Sequence, residues 1–171
     1  KLKKAGVKYL GFGIESGNQD VLDYYNKKTT LDQIRKAVNL GSEMGFLLSA
    51  TFILGASIET KEHLENTIDF ACSLPLDMAF FGPLLYQMGS DLWNEAVKRN
   101  LILKSEYQVT TNSRRGLGNF TPEELQVYVN KAFRRFYIRP MFLIDRLYRA
   151  FERKDFGLPS RGFHYIMSSI T

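Results

Sequence analysis

Tyr9-Leu10-Gly11-Phe12-Gly13-Ile14-Glu15-Ser16-Gly17 decides the fold together with Leu48-Ser49-Ala50-Thr51-Phe52-Ile53-Leu54-Gly55, which runs on into Ala56-Ser57-Ile58-Glu59-Thr60. Each stretch reads as a short strand ending in polar residues and glycine, and each is followed by a segment of helical periodicity. Strand, helix, strand, helix predicts a parallel α/β sheet, in which ligands gather at the carboxyl ends of the strands. Glu15, Ser16, Gly55 and Glu59 stand at those ends. For Glu59 and Thr60 taken alone, turn and helix-capping chemistry is the preferred reading.

Working outward, a strand over about 9–15 leads to a short helix near Gln19–Tyr25. Thr30-Leu31-Asp32-Gln33 matches a capping box and opens a helix to about Met44, with Gly45 as its stop. Leu48–Leu54 is nearly all apolar, which predicts a strand buried on both faces, as parallel sheets usually are. Thr60 caps a helix over about 61–73 that turns Leu64, Ile68 and Ala71/Cys72 inward, so Cys72 is expected in the core. A third strand, Met78–Leu84, precedes the turn Gln87-Met88-Gly89-Ser90 and a helix to about Asn100. Lys104–Gly118 is polar and irregular and reads as a mobile loop or linker around Arg114-Arg115-Gly116. Thr121-Pro122-Glu123-Glu124 is a strong helix start. That helix is expected to run to about Tyr137, with a second over about Met141–Arg153 and a short one from Ser160. The division expected is 1–119 for the sheet-bearing part and 120–171 for a helical extension.

A chain of 171 residues, 44% of them hydrophobic, fits one soluble domain with a sizeable core. No apolar run reaches the ~18 residues of a membrane span, and the start lacks the apolar stretch of a signal peptide. The single cysteine, Cys72, excludes an internal disulfide and any cysteine-based metal site within the chain. These features predict a cytoplasmic setting. The opening Lys1-Leu2-Lys3-Lys4-Ala5-Gly6-Val7, with no initiator methionine, predicts a fragment and reads as the tail of a helix begun upstream. Residues 121–171 carry 9 Lys/Arg against 5 Asp/Glu, so most of the net +5 sits there. The arginines alternate with Phe133, Phe136, Tyr137, Phe142, Leu143 and Leu147 at helical spacing. That favours an amphipathic helix pair with a solvated basic face over a nucleic-acid surface.

Four motifs in order carry a resemblance. Gly13-Ile14-Glu15-Ser16-Gly17, with Leu22, Asn26-Lys27 and Thr29-Thr30, resembles the fourth strand and following helix of radical S-adenosylmethionine (SAM) enzymes. Thr51-Phe52-Ile53-Leu54-Gly55 with Glu59-Thr60 resembles the superfamily's fifth-strand motif. Leu85-Tyr86-Gln87-Met88-Gly89-Ser90 takes the place of its turn after the sixth strand. Lys131-Ala132-Phe133-Arg134-Arg135-Phe136-Tyr137-Ile138-Arg139-Pro140 is similar to the tail of the cobalamin-binding branch, which includes anaerobic magnesium-protoporphyrin monomethyl ester cyclases. The likeness covers about residues 1–150. Ser57-Ile58 and Gln87-Met88 depart from the family's Pro-Gly at both places.

The resemblance implies the C-terminal half of a partial (β/α)6 TIM-like barrel with three parallel strands, plus a C-terminal helical extension. It implies SAM as cofactor. The full-length protein would add a [4Fe–4S] cluster and cobalamin, both held by ligands outside this chain, and the missing N-terminal half of the barrel. The chemistry implied is reductive cleavage of SAM, giving a 5′-deoxyadenosyl radical or feeding methyl transfer, on a small-molecule or tetrapyrrole substrate. Within this chain the implied cofactor-binding residues are Glu15 and Ser16 for ribose hydroxyls, Lys27 for the SAM carboxylate, and Ile53 and Gly55 for adenine. No residue here is expected to be catalytic or to ligate metal, and the isolated chain is expected to be inactive. The structural alternatives, ranked below these roles, are that Glu15 caps the next helix and Lys27 is solvated; Ile53 is core on either reading. Two other functions stand beside this one: an RNA-modifying, methylthiotransferase-like enzyme, and a non-catalytic scaffold that retains the barrel half. The helix pair around Phe136–Pro140 argues against the RNA-directed reading, so the partner expected is a small molecule rather than a nucleic acid.

Overall fold

Tyr9–Glu15 (β1), Leu47–Leu54 (β2) and Met78–Pro83 (β3) form one parallel sheet in the order β1-β2-β3. They do so in a computed structural model that describes residues 1–140 and 142–144. Gln19–Tyr24 (α1) and Leu31–Glu43 (α2) lie between β1 and β2, and Lys61–Ser73 (α3) lies between β2 and β3. Pro122–Tyr137 (α5) comes last, packed on β3 and α3. Parallel neighbours joined through helices are the arc expected of a partial barrel.

The helix starts follow from local chemistry. Thr30 Oγ1 accepts from Gln33 N at 3.2 Å while Gln33 Oε1 accepts from Thr30 N at 2.9 Å. Thr121 and Glu124 repeat this exchange at 2.8 and 3.2 Å. At α3, His63 replaces the usual Glu or Gln: its Nδ1 accepts from Thr60 N at 3.2 Å. A side-chain cap of this kind contributes about 1 kcal/mol. Gly45 ends α2 at φ +72°, the left-handed geometry a glycine tolerates. At the start of the chain, Ala5 N donates to Lys1 O at 3.1 Å, a single hydrogen-bonded turn.

One face of the sheet makes the main core. Ile14, Leu48, Ala50, Phe52, Leu54, Ala79 and Phe81 are buried beneath Val38 of α2, Leu64, Ile68 and Ala71 of α3, and Leu125, Val129, Phe133 and Phe136 of α5. Phe52 stacks on Phe81 at 5.2 Å, and Phe133 meets Phe81 edge-on at 5.5 Å. Cys72 is half-buried and packs against the same cluster. The expected boundary at residue 119 falls just before α5, whose apolar stripe belongs to this core.

The opposite face is open. Tyr9, Gly11, Gly13, Thr51 and Phe80 are exposed there. The expectation that β2 is buried on both faces is therefore corrected: it alternates at its carboxyl half, with Thr51 exposed between buried Ala50 and Phe52. Its apolar run misled because Ile53, on the open side, packs against a second cluster rather than against a helix layer.

That second cluster corrects the reading of Lys104–Gly118. Leu85–Gln87 (β4) pairs antiparallel with Gln108–Thr110 (β5) in a two-stranded sheet. It is backed by Asp91–Lys98 (α4) and closed by a 3₁₀ turn at Ser113–Arg115. Leu84, Tyr86, Trp93, Ala96, Ile102, Val109 and Leu117 are buried together. Trp93 Nε1 donates to Glu106 O at 2.8 Å, and Arg115 grips both Glu106 oxygens, each at 2.8 Å. The segment is polar because its charges pair with one another across the turn, while three-residue strands leave no periodicity to read. Phe142–Ile144 are helical. The rest of the helix expected over Met141–Arg153, and the one from Ser160, lie outside the described residues.

Candidate functional site

The carboxyl end of β1 is irregular in a way that serves a side chain. Gly13 pairs with Thr51 and Glu15 with Phe52, so Ile14 is an extra residue in the ladder. Glu15 then takes φ +70°, a conformation that non-glycine residues adopt at a cost of roughly 1–2 kcal/mol. A bulge at a sheet rim re-aims the residue beside it. Here it places the Glu15 carboxylate above Gly13 on the open face. A Cβ on Gly13 would stand 2.6 Å from Glu15 Oε1 and 3.2 Å from Lys27 Nζ, so a side chain there would push the ends of this pair from their present place.

Lys27 arrives from the other side. α1 ends at Tyr24, and Asn26 (φ +54°) and Lys28 (φ +45°) both adopt left-handed geometry, with Lys27 N bonded back to Leu22 O at 2.9 Å. This tight reversal returns Lys27 to the end of β1, where Nζ donates to Glu15 Oε1 at 2.9 Å. The Lys27 and Glu15 side chains are 31% and 18% exposed, enough for a ligand to reach them.

Ser16 is turned elsewhere. It is fully buried, and its hydroxyl lies 3.1 Å from Thr67 Oγ1 on α3 and accepts from Asn18 N at 3.2 Å. Asn18 Nδ2 continues the network to His63 O at 2.8 Å. Gly17 permits this contact: a Cβ there would lie 2.6 Å from Phe70 Cβ and 2.8 Å from Asn66 O. The Ser16–Asn18 turn thus fixes the exit of β1 to α3.

At the end of β2, Gly55 has φ +99°, and a Cβ there would strike Leu125 Cδ1 and Thr111 Cγ2, each at 2.7 Å. Glu59 lies fully buried behind it, and its Oε2 accepts from Gly55 N at 2.6 Å and Ala56 N at 2.7 Å. Burial pushes the Glu59 carboxyl up to about 7, against the two N–H bonds that pull it down. The turn role expected for Glu59, and the cap expected for Thr60, are what the structure contains. Ile53, half-buried one residue before Leu54, packs against the second cluster, as Tyr25 does. Glu15, Lys27, Ile53 and Gly55 therefore share one rim, while the Ser16 hydroxyl faces α3. Thr67, the partner that holds Ser16, was not legible in sequence, since a threonine inside a helix carries no sign of its contact.

Residues 1–71 match the model described as the Radical SAM superfamily. The chain belongs to the radical SAM superfamily. It is 33% identical over 149 residues to the Uncharacterized methyltransferase PH0819 of Pyrococcus horikoshii, a match covering 86% of this radical SAM chain and 32% of that protein. It is 37% identical over 93 residues to the Anaerobic magnesium-protoporphyrin IX monomethyl ester cyclase of Rubrivivax gelatinosus, covering 54% of the chain and 17% of the relative. The chain thus spans about a third or less of the length of these relatives. Among solved structures it is similar to the archaeal Methanocaldococcus infernus Elp3 with N-terminus deletion (1-46). The TM-score is 0.59 at 18% identity, covering 77% of this chain and 28% of that one, a likeness of fold.

The residues present suit one of the family's cofactors and not the other. A carboxylate and an ammonium side by side, over a glycine and next to an apolar wall, match a nucleoside bearing an amino-acid tail. One cysteine, half-buried on α3, does not suit a cluster that needs several thiolates. Among the described residues, no helix is long and apolar enough to cross a membrane.

Proposed function

We propose that this chain forms the second half of a radical SAM barrel in a longer, cobalamin-dependent, cytoplasmic enzyme acting on a small molecule or tetrapyrrole, with methyl transfer as its first-choice chemistry. The observation that carries the site is the Glu15–Lys27 pair at 2.9 Å, raised over Gly13 by the bulge in β1. Methyl transfer is placed before cyclisation because the relative named as a methyltransferase aligns over 86% of the chain, through α5, and the cyclase over 54%.

In this reading Glu15 accepts hydrogen bonds from the ribose hydroxyls of SAM, and Lys27 pairs with its carboxylate. Ile53 supplies an apolar surface for adenine, and Gly55, whose missing Cβ leaves room for Leu125 and Thr111, sets the course of the backbone beside it. Ser16 contributes by holding the β1 exit against Thr67, so that the bulge and the carboxylate keep their place. SAM supplies either its methyl group or a strongly oxidising hydrogen abstraction when a reduced cluster is present. The cluster and cobalamin are assigned to sequence outside this chain, and no step is drawn through them. The division into a barrel part, 1–119, and an extension, 120–171, is retained as part of the proposal.

Full-length protein, reconstituted anaerobically with iron and sulfide and given SAM and a reductant, tests the reading. Reductant-dependent release of S-adenosylhomocysteine or 5′-deoxyadenosine is expected. Release of neither, with a cluster present, would overturn it.

A further inference from the structure

Three buried side-chain polar atoms among the described residues lack a hydrogen-bond partner: Tyr25 Oη, Thr29 Oγ1 and Glu59 Oε1. Glu59 still uses its other oxygen for two N–H groups. Tyr25 has a single polar side-chain atom, and that atom is sealed from solvent with nothing to bind. A hydroxyl in that state has lost its water without compensation, which folded chains seldom tolerate unless a buried water, an ion or a ligand completes the site.

The position of Tyr25 narrows what the ligand is. It follows the last residue of α1 and stands two residues before Lys27. It packs against the second cluster, as Ile53 does, and its ring meets Tyr24 edge-on at 5.5 Å. The Tyr24 hydroxyl accepts from Ser57 Oγ at 3.0 Å, which ties this end of α1 to the loop after β2. Burial first, then the fields of Glu59, Tyr24, Glu15 and Tyr86, hold the Tyr25 phenol well above its ordinary range, so it keeps its proton. It is a donor that feels the charges of both Glu59 and Glu15 and sits by the cluster on which Ile53 also packs.

Beyond the Lys27 ammonium, which is already paired with Glu15, the residues of that rim offer no side-chain donor. The N–H groups of Gly55 and Ala56 are both spent on Glu59, and Glu15 is an acceptor only. A purine presents ring nitrogens that accept, and an apolar wall at Ile53 leaves them unsatisfied.

We propose that the Tyr25 hydroxyl is a further cofactor-binding group that hydrogen-bonds the nucleoside of SAM and is satisfied only when the cofactor is bound. The proposal rests on the reading of Glu15, Lys27, Ile53 and Gly55 as the SAM site.

Tyr25→Phe removes the one atom and keeps the ring, so it tests the idea cleanly. SAM is titrated calorimetrically into full-length, cluster-loaded protein, with Glu15→Ala in parallel, and the melting temperature of each protein is recorded without SAM. Loss of one such bond predicts SAM binding weakened by about 5- to 20-fold in Tyr25→Phe. The melting temperature without SAM is expected to be unchanged or higher, because an unpaired buried hydroxyl has gone. If Tyr25→Phe binds SAM like the parent while Glu15→Ala binds weakly, the role of Tyr25 is overturned and the site reading stands. If both bind like the parent, the site reading itself fails and takes this proposal with it. A Tyr25→Phe protein that melts several degrees lower without SAM would show a structural role for the hydroxyl and overturn the proposal as well.

Discussion

Lys27 Nζ and Glu15 Oε1 are 2.9 Å apart although twelve positions of chain and a whole helix separate them. Each is held there by backbone in left-handed geometry, Glu15 at φ +70° and the flanking Asn26 and Lys28 at φ +54° and +45°. Structures keep such conformations where something else over-determines them, and they concentrate at binding sites. The pair also keeps two charges partly shielded from water without leaving either uncompensated. On the proposed reading, a ligand that brings hydroxyls to Glu15 and a carboxylate to Lys27 would exchange one ion pair for two charge-assisted contacts.

The strain at Glu15 is measurable apart from its charge. Glu15→Ala and Glu15→Gly both delete the carboxylate, but only glycine relaxes at positive φ. Glu15→Gly is expected to be more stable than Glu15→Ala by about 1 kcal/mol. Urea denaturation of the two variants checks this, and equal midpoints would mean that the bulge holds no strain.

Gly17 should tolerate nothing larger. A methyl at that position would lie 2.6 Å from Phe70 Cβ and 2.8 Å from Thr67 Cα, rigid parts of α3 that cannot swing aside. Gly17→Ala is expected to cost about 1–3 kcal/mol by overpacking. The same change at Gly82, where nothing lies within 4 Å of the new atom, should leave packing undisturbed. A thermal melt comparing the two decides whether the close approach at Gly17 is real.

Glu59 gives stability a pH dependence of definite sign. Its carboxyl is raised from 4.5 to about 7 by burial, with His63 and Asp20 acting in opposite directions as the nearby charges. The folded chain therefore holds this proton more tightly than the unfolded chain. The contribution is fully present below about pH 4.5 and is lost as pH rises through about 7, a change on the order of 3 kcal/mol. Glu59→Gln keeps an oxygen for Gly55 N and Ala56 N and cannot ionise, so it should flatten this part of the profile. Unfolding midpoints measured between pH 5 and 8 for both proteins test it, and parallel profiles would contradict the account.

The three strands, their order and the helix starts were legible because they rest on local chemistry. Thr30 with Gln33 and Thr121 with Glu124 are capping pairs three residues apart, and the strand ends carry glycine. The open face was not legible at β2, since Thr51 is a single polar residue in an apolar run. β4 and β5 were missed because three residues are too few for a period. The bulge at Ile14 escaped because nothing in Gly13-Ile14-Glu15 announces a left-handed glutamate. Family motifs pointed to Glu15 and Lys27, but only the fold brings them within hydrogen-bonding distance and turns Ser16 away. The orphaned hydroxyl of Tyr25 had no signal in the sequence, for burial without a partner is a property of the packed structure.

Calorimetric titration of SAM into full-length, cluster-loaded protein tests the central claim most directly. Glu15→Ala and Lys27→Ala should each weaken binding by roughly 1–3 kcal/mol, the worth of a charge-assisted contact. The Lys27 effect should shrink as salt rises, because that side chain remains partly solvated. Arg35→Ala is the control: its guanidinium lies over the Phe70 ring and bonds Ser73, away from the rim, and SAM affinity should not change. Parent-like SAM binding by both the Glu15 and Lys27 variants, with each still folded, would contradict the account and leave the pair as an ordinary ion pair at a strand end.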